Sequence, residues 1–266
     1  MFQPIVPASG LTGWVFLNAT MERQTEVFNK SPELTRDTDY FEQNIGNIST
    51  AEELVSDRRL LRVALGAFGL EEDINSRALI EKILSEGTVD DDALANKLTD
   101  ERYKDLAEAF GFDRLLGPRT TQSGFGKEIV DQFRARSFEV AVGDQEQALR
   151  LALNAKRELP DIALEGDSED AKWFGIMGTG PLRKVLETVL GFPPGFGQLD
   201  LDRQLVEFQD RASSQLGLTS IDDLADPEKL DKLIERFLLM DQISAGSSMS
   251  SNSIALTLLQ SASNFR

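Results

Sequence analysis

The sequence predicts an all-α protein: a multi-helix, bundle-like body of two related helical units, with amphipathic tails at both ends. Apolar residues recur at steps of three and four along most of the chain, which is the spacing of one face of an α-helix. Long alternating runs of β-branched residues with hairpin turns, which are typical of β-strands, are absent. Short links punctuated by glycine separate the periodic segments.

The apolar stripes follow one another from the N-terminus to the C-terminus, with charged residues between their members. In chain order they are Trp14, Leu17, Met21 and Phe28; Leu54, Leu61, Leu65 and Phe68; Leu79, Ile80, Ile83 and Leu84; Ile129, Phe133 and Val140; Leu149 and Leu153; Val185 and Val189; Leu201, Leu205 and Phe208; and Leu230, Leu233, Ile234 and Phe237. Such stripes predict helices that bury one face against a common core.

The ends of these helices carry matching cap chemistry. Thr50 followed by Glu53 offers a hydroxyl N-cap with an acid in the first turn. Pro181 and Pro227 suit a first helical turn, where a missing N–H costs nothing. Glycines stand where left-handed C-caps are expected, at Gly69, Gly87, Gly111, Gly191 and Gly217.

The two halves of the chain resemble each other. Three pairs of segments match in the same order: 41–46 with 138–143, 60–70 with 182–192, and 98–110 with 224–237. A duplicated helical unit explains the shared order, and the alternative is that capping and amphipathic rules produced the matches twice. We predict four segments: an N-terminal amphipathic tail (1–36), a first helical unit (37–133), a second helical unit (134–241), and a Ser-rich connector with a C-terminal tail (242–266).

Both tails carry apolar side chains suited to contact with other helices. The candidate partner-binding residues are Trp14, Leu17, Met21, Phe28, Ile254, Leu258 and Leu259. Turn-forming residues at 29–39 and a Ser-rich stretch at 244–253 separate the tails from the body. Two interpretations stay open: the tails dock on the body as terminal helices, or they order against each other or against neighbouring subunits.

Composition excludes many kinds of site. The 266 residues include 45 Asp and Glu against 28 Lys and Arg, a formal net charge of −17, with no His and no Cys. The usual zinc sites, Ser-His-Asp and Cys-His nucleophiles and disulfides are therefore excluded. The negative charge argues against nucleic acid or an anionic membrane as a partner. We predict no catalytic residue, no metal ligand and no cofactor.

One Gly-rich segment and two acidic clusters are the remaining candidate ligand sites. Residues 175–180 precede a predicted helix whose N-terminus could hold an anion. The candidate anion-site residues are Gly178, Gly180, Arg183 and Lys184. The ordinary interpretation is a loop leading into a helix, because the spacing matches neither a P-loop nor a dinucleotide fingerprint. The acids at 165–170 and 90–92 lack the order of an EF-hand and are interpreted as helix caps.

No cleaved Sec signal and no transmembrane segment are predicted. Residues 1–18 have no Lys or Arg before their apolar residues, and Pro4, Pro7 and Gly10 interrupt them. We expect cytoplasmic synthesis without direct membrane insertion. Export by a route that reads an uncleaved N-terminus stays open.

Several short motifs resemble a known family. They are Gly10-Leu-Thr-Gly13-Trp14, the segment 57–70 (DRRLLRVALGAFGL), Ala109-Phe110-Gly111-Phe112, Gly180-Pro181-Leu182-Arg183 and Leu190-Gly191-Phe192-Pro193. Together they resemble a bacterial family of unknown function that is encoded in flagellar gene clusters, over most of the chain. The resemblance implies association with flagellar structure, assembly or export, and it supplies no active site.

Flagellar axial proteins are poor in Cys and His, leave without a cleaved signal and pair their terminal helices, as this chain does in outline. We therefore predict a non-enzymatic structural or assembly protein of the flagellum. Its partners would be flagellar or export-apparatus proteins, or further copies bound through the tails. The alternatives are a cytoplasmic export or assembly factor and an enzyme that binds a metal or an anion.

Overall fold

The chain folds into helices, which confirms the predicted all-α class. In the computed structural model the backbone is described for residues 2–263 and the side chains for residues 2–245, and this part contains no β-strand. Its α-helices are α1 (Gly10–Asn29), α2 (Pro32–Asn44), α3 (Ala51–Ser56), α4 (Arg58–Ala67), α5 (Arg77–Glu86), α6 (Leu94–Lys97), α7 (Arg102–Phe110), α8 (Phe125–Gly143), α9 (Gln147–Leu164), α10 (Glu169–Gly178), α11 (Gly180–Val189), α12 (Leu201–Arg211) and α13 (Pro227–Ser263).

The predicted caps are confirmed at several helix ends. The Glu53 backbone N–H donates to the Thr50 hydroxyl over 3.2 Å, and the Glu53 carboxylate accepts from the Thr50 backbone N–H, so the two residues form a capping box. Gly111 ends α7 in the left-handed conformation, at φ +59°. Pro227 is the first residue of α13.

Two large apolar cores fill the described part of the body, beside a small cluster of Ile83, Ala95 and Ala107. The first core gathers side chains of α2 to α5, α7 and the first half of α8, among them Phe41, Leu54, Leu61, Leu65, Phe110 and Phe125. The second core gathers side chains of α1, the second half of α8 and α9 to α13, among them Trp14, Phe28, Phe138, Leu186, Phe208 and Phe237. The tail at 1–36 thus joins the second core, although the first unit follows it in sequence.

Helix α8 belongs to both cores. Ile129 packs in the first core, Val142 packs in the second, and the half-buried Phe133 touches both. The unit boundary that we predicted between residues 133 and 134 therefore lies inside a continuous helix. The duplication of the two units stays a prediction.

The Ser-rich connector expected at 244–253 is part of α13. The expectation of an irregular link was wrong because α13 is already anchored by Leu230, Leu233 and Phe237, and extending an existing helix costs far less than nucleating a new one. The side chains of Ile254, Leu258 and Leu259 lie outside the described residues. Among the helices that the structure describes, none combines the length and the apolar content needed to cross a bilayer.

Phe110 and Phe237 are fully buried, one in each core. We expect Phe110→Ala and Phe237→Ala each to lower the free energy of unfolding by about 3–5 kcal/mol, because each leaves a cavity. Chemical denaturation followed by circular dichroism measures the change. Leu115→Ala, at a fully exposed position, is the control and should change little. Equal stability of Phe110→Ala and Leu115→Ala would contradict the assignment of the first core.

Candidate interaction site

The N-terminal helix α1 holds its apolar stripe against the second core. Trp14 is 3% exposed, Leu17 and Phe28 are fully buried, and Met21 is half-buried. The Phe28 ring meets the Phe138 ring edge-on at 5.5 Å between centroids. In this conformation the predicted N-terminal anchors secure α1 to the body. Partner binding through them stays a prediction, and it would require α1 to leave the core.

Residues 2–9 fold back along α1 and are held by two glutamine side chains. The buried Gln24 accepts from the Ile5 N–H at 2.6 Å and donates to the Ile5 carbonyl at 3.2 Å, which is the pattern of a backbone ladder. Gln145, which follows α8, donates to the Pro4 carbonyl at 2.6 Å. The sequence analysis did not predict that Gln24 binds the backbone of residues 2–9. The feature that could have indicated it is a glutamine within the apolar stripe of α1.

Two glycines of the Gly10–Trp14 motif allow this close packing. A Cβ atom on Gly10 would stand 1.9 Å from Nε2 of Gln242 in α13, and Gly10 has a φ of +58°. A Cβ atom on Gly13 would stand 2.0 Å from the Ala8 carbonyl oxygen. The exposed Gln242 side chain can move aside, so position 10 requires glycine through its left-handed backbone, whereas position 13 requires it through the contact with the Ala8 backbone. The motif is therefore a packing motif.

Helices α1 and α13 pack together, so the two terminal helices of the chain are paired. Both also present apolar side chains to solvent. We name these the outward residues; they are Val15, Phe16 and Val27 on α1 and Leu239 and Ile243 on α13. Ile243 is 66% exposed, one turn beyond Leu239 on the same stripe. The outward residues were missed because the inward stripes carried the stronger periodic signal.

The predicted anion segment is a junction between two helices. Gly178 ends α10, Gly180 begins α11, and Thr179 alone links them, so the expected loop was wrong. Tertiary packing of α10 outweighs the low helix propensity of its glycines. Arg183 is engaged internally, donating to Glu187 at 2.8 Å and to the Gln204 side-chain oxygen at 2.5 Å.

The side chain nearest to Gly178 belongs to an acid. A Cβ atom on Gly178 would lie 2.9 Å from Cγ of Glu101. Lys184 is exposed on α11. The Arg183 guanidinium also donates to the Met177 carbonyl at 3.5 Å, so it lies near the end of α10 with its donors engaged by Glu187, Gln204 and Met177. Anion binding by these four residues stays a prediction.

The acidic cluster at 165–170 serves the start of α10. Ser168 caps α10 through the Ala171 N–H, with Glu169 and Asp170 in the first turn. The cluster at 90–92 lies in the turn between α5 and α6, and the N-cap of α6 is Ala93, so its interpretation as a helix cap was wrong. Asp90 accepts from the Asp92 N–H. In the part of the chain that the structure describes, no three acidic side chains are arranged to hold a metal ion.

An open groove of about 520 Å³ lies between α7 and α10, beside Gly175 and Thr179. Its acids are Glu101, Asp105, Glu108, Glu165 and Asp167, and its cations are Lys104 and Lys172. Desolvation within the groove, with the negative charges of Glu101 and Glu158, raises the pKa of the Asp105 carboxyl to about 6. Desolvation and the charge of Asp167 raise the pKa of Glu165 as well.

A group of partly buried ion pairs lies between α8 and α9, next to a cavity of about 30 Å³. Arg157 donates to both carboxylate oxygens of Glu139, at 2.7 and 3.0 Å. Arg136 donates to Glu158 at 2.5 Å. The cavity has the size of one water molecule and is too small for an organic substrate.

Comparisons with known proteins place the chain in a family. The family described as "Protein of unknown function (DUF1217)" matches residues 67–230. An X-ray crystal structure of a protein from Agrobacterium tumefaciens is similar, with 28% sequence identity and a TM-score of 0.74, over 91% of this chain and 99% of that chain. No curated protein matches the chain.

The tight approach at Gly13 gives a stability prediction. Gly13→Ala should lower the free energy of unfolding by about 1–3 kcal/mol, because the added methyl group forces the Ala8 backbone away. Gly175→Ala is the matched control within a helix. Nothing lies within 4 Å of its new methyl group, so it should raise stability by about 0.5–1 kcal/mol. Thermal or chemical denaturation measures the free energy of unfolding of both variants. A stabilising Gly13→Ala would contradict the close packing of α1 on residues 2–9.

The raised pKa of Asp105 predicts a pH dependence. Its folded pKa of about 6 exceeds the ordinary 3.8, so ionisation of Asp105 costs stability as the pH rises from about 4 to 6. Asp105→Asn should therefore melt at a higher temperature than the wild type at pH 7. The difference should vanish below pH 4, where both side chains are neutral.

Asp39→Asn is the control for this measurement, since it removes one exposed negative charge outside the groove. Melting temperatures from pH 3 to pH 8 are compared for the three proteins. A gap between Asp105→Asn and the wild type that stays constant over this range would contradict the prediction.

Proposed function

The chain belongs to this family of unknown function, and from that premise we propose that it is a non-enzymatic structural or assembly protein of the bacterial flagellum. It acts through helix-mediated contacts with flagellar or export-apparatus proteins. The observation that carries the proposal is the pairing of α1 with α13, with apolar outward residues left on both helices.

The exposure of the outward residues supports a binding role. Leu239 and Ile243 lie one turn apart, so they present one apolar stripe of the kind that docks against another helix. Helix α13 continues past them to Ser263. An incoming helix would gain apolar burial along that stripe without displacing the core residues on the opposite face.

The pairing of charged side chains in the interior supports a non-enzymatic role. Arg157 and Arg136 face Glu139 and Glu158, and these pairs lie in the interior between α8 and α9. Side chains held in such pairs orient helices and are not free to bind a substrate. The flagellar setting rests on the resemblance of the Gly10–Trp14 motif and of residues 57–70 to proteins encoded in flagellar gene clusters.

An enzyme that works through acidic side chains is the second candidate. One observation favours it: the groove beside Gly175 gathers Asp105 and Glu165, whose pKa values are both raised. A general acid needs a pKa near the working pH, and burial moves the pKa of Asp105 up to about 6, towards neutrality. The test is swimming motility of a strain that carries Asp105→Asn. Loss of motility, with a variant protein that stays folded, would favour this candidate.

Localisation in the native host tests the flagellar proposal. Purified flagella, culture supernatant and cell lysate are probed with an antibody, in a wild-type strain and in a strain without a working flagellar export apparatus. A cytoplasmic marker protein controls for lysis. Appearance outside the cell only with a working apparatus is the expected result for an axial role. Retention in the lysate of both strains would contradict that role and favour the assembly factor.

The outward residues give a sharper variant. Leu239→Ser combined with Ile243→Ser should leave the melting temperature unchanged, because both side chains are already solvent-exposed. It should reduce recovery with flagella or with the export apparatus at least tenfold. Val206→Ser, at an exposed position on α12, is the matched control. Equal recovery of all three proteins would overturn the role of α13.

A further inference from the structure

Two neighbouring loops form an apolar knob, made of Val89, Leu115 and Leu116. Both leucines are fully exposed, and Val89 is 75% exposed. The Asp113 carboxylate joins the loops, accepting from the backbone N–H groups of Thr88 at 2.9 Å and Val89 at 3.0 Å. These bonds hold the Val89 backbone beside the loop that carries Leu115 and Leu116. Large apolar side chains gathered in solvent indicate a contact surface.

The rim of the knob is acidic. Four exposed acids lie on the same loop as Val89 or at the end of α5; they are Glu86, Asp90, Asp91 and Asp92. Three cations lie near them: Lys82 pairs with Glu86 at 3.6 Å, Lys97 pairs with Asp92 at 2.7 Å, and Arg114 donates to the Glu108 carbonyl. Acids outnumber cations here, so the knob is an apolar surface with a negative rim.

A groove of about 400 Å³ beside the second core has the opposite charge. Its apolar lining consists of Leu216, Leu218 and Leu233. Its cations are Lys229, Lys232 and Arg236, which occupy one face of α13. No acid lines it, in a chain whose net charge is −17.

The charge of the groove is only partly neutralised. Lys229 pairs with Asp223 at 2.5 Å. Arg236 donates to the Val189 carbonyl and to the Gln215 side chain, which leave its charge in place. Lys232 is exposed. The wall opposite α13 is a π-helical turn, Ala212–Leu216, a type of turn that is frequent at functional sites.

We propose that the apolar knob of one copy docks in this groove of a second copy, head to tail. The knob offers leucines with a negative rim, and the groove offers a leucine lining with positive walls, so the two surfaces are complementary in charge and both are apolar at the centre. The knob lies beside the first core and the groove beside the second, so one chain does not bring them together. Such an interface uses different surfaces on each copy and can repeat along a chain of molecules or close into a ring.

Mixing two variants of the full chain tests the proposal. The knob variant is Leu115→Ser with Leu116→Ser, and the groove variant is Lys232→Glu with Arg236→Glu. The wild type should increase in mass with concentration in analytical ultracentrifugation, and each variant alone should stay monomeric, with at least tenfold weaker association. An equimolar mixture should form a dimer that does not extend, because each variant keeps the surface that the other lacks.

Two further variants serve as controls. Lys232→Glu alone removes an exposed charge without touching the Arg236 hydrogen bonds, so it tests the groove if the double variant is unstable. Leu239→Ser with Ile243→Ser should self-associate like the wild type. A monomeric wild type at all concentrations, or variants that associate as the wild type does, would overturn the proposal. Neither result bears on the localisation experiment, because this inference does not rest on the flagellar setting.

Discussion

The fold depends on one helix, α8, that serves two apolar cores. Phe125 at its start is buried in the first core, Phe138 near its end is buried in the second, and Phe133 touches both. Gly66 of α4 leaves room for Phe133, since a Cβ atom there would stand 2.6 Å from the ring. A continuous helix fixes the distance and the rotation between the cores, because its residues cannot turn independently of each other. The two cores are therefore joined through one shared helix.

Ion pairs set the orientation of α9 on α8. Arg136 and Glu139 of α8 face Glu158 and Arg157 of α9, and Glu158 also accepts from Arg157 at 3.2 Å. These side chains are largely shielded from water, so removing one partner leaves an uncompensated charge, at a cost of roughly 3–5 kcal/mol. Opposite charges therefore face each other in the register that α8 and α9 adopt, and a shift that separated these pairs would carry that cost.

The surfaces proposed for binding are separate from these constraints. The core residues of α1 and α13 point inward, while the outward residues point to solvent. A partner can therefore be bound without disturbing the second core. The apolar knob and its complementary groove lie on different cores, and α8 keeps them at a fixed distance. A rigid body with binding surfaces at separate places is suited to assembly, since little conformational entropy is lost on contact.

The sequence by itself determined the helical class, the caps at Thr50 and Gly111, and most inward stripes, because periodicity and capping are properties of a few consecutive residues. Only the tertiary structure decided which stripes share a core. It placed Trp14 in the second core, which also holds Leu238, and not with the first unit, and it made Gly13 a contact point. It also kept Leu115 and Leu116 in solvent. A stripe specifies the face of a helix that is buried, whereas the partner of that face depends on packing between residues far apart in the chain.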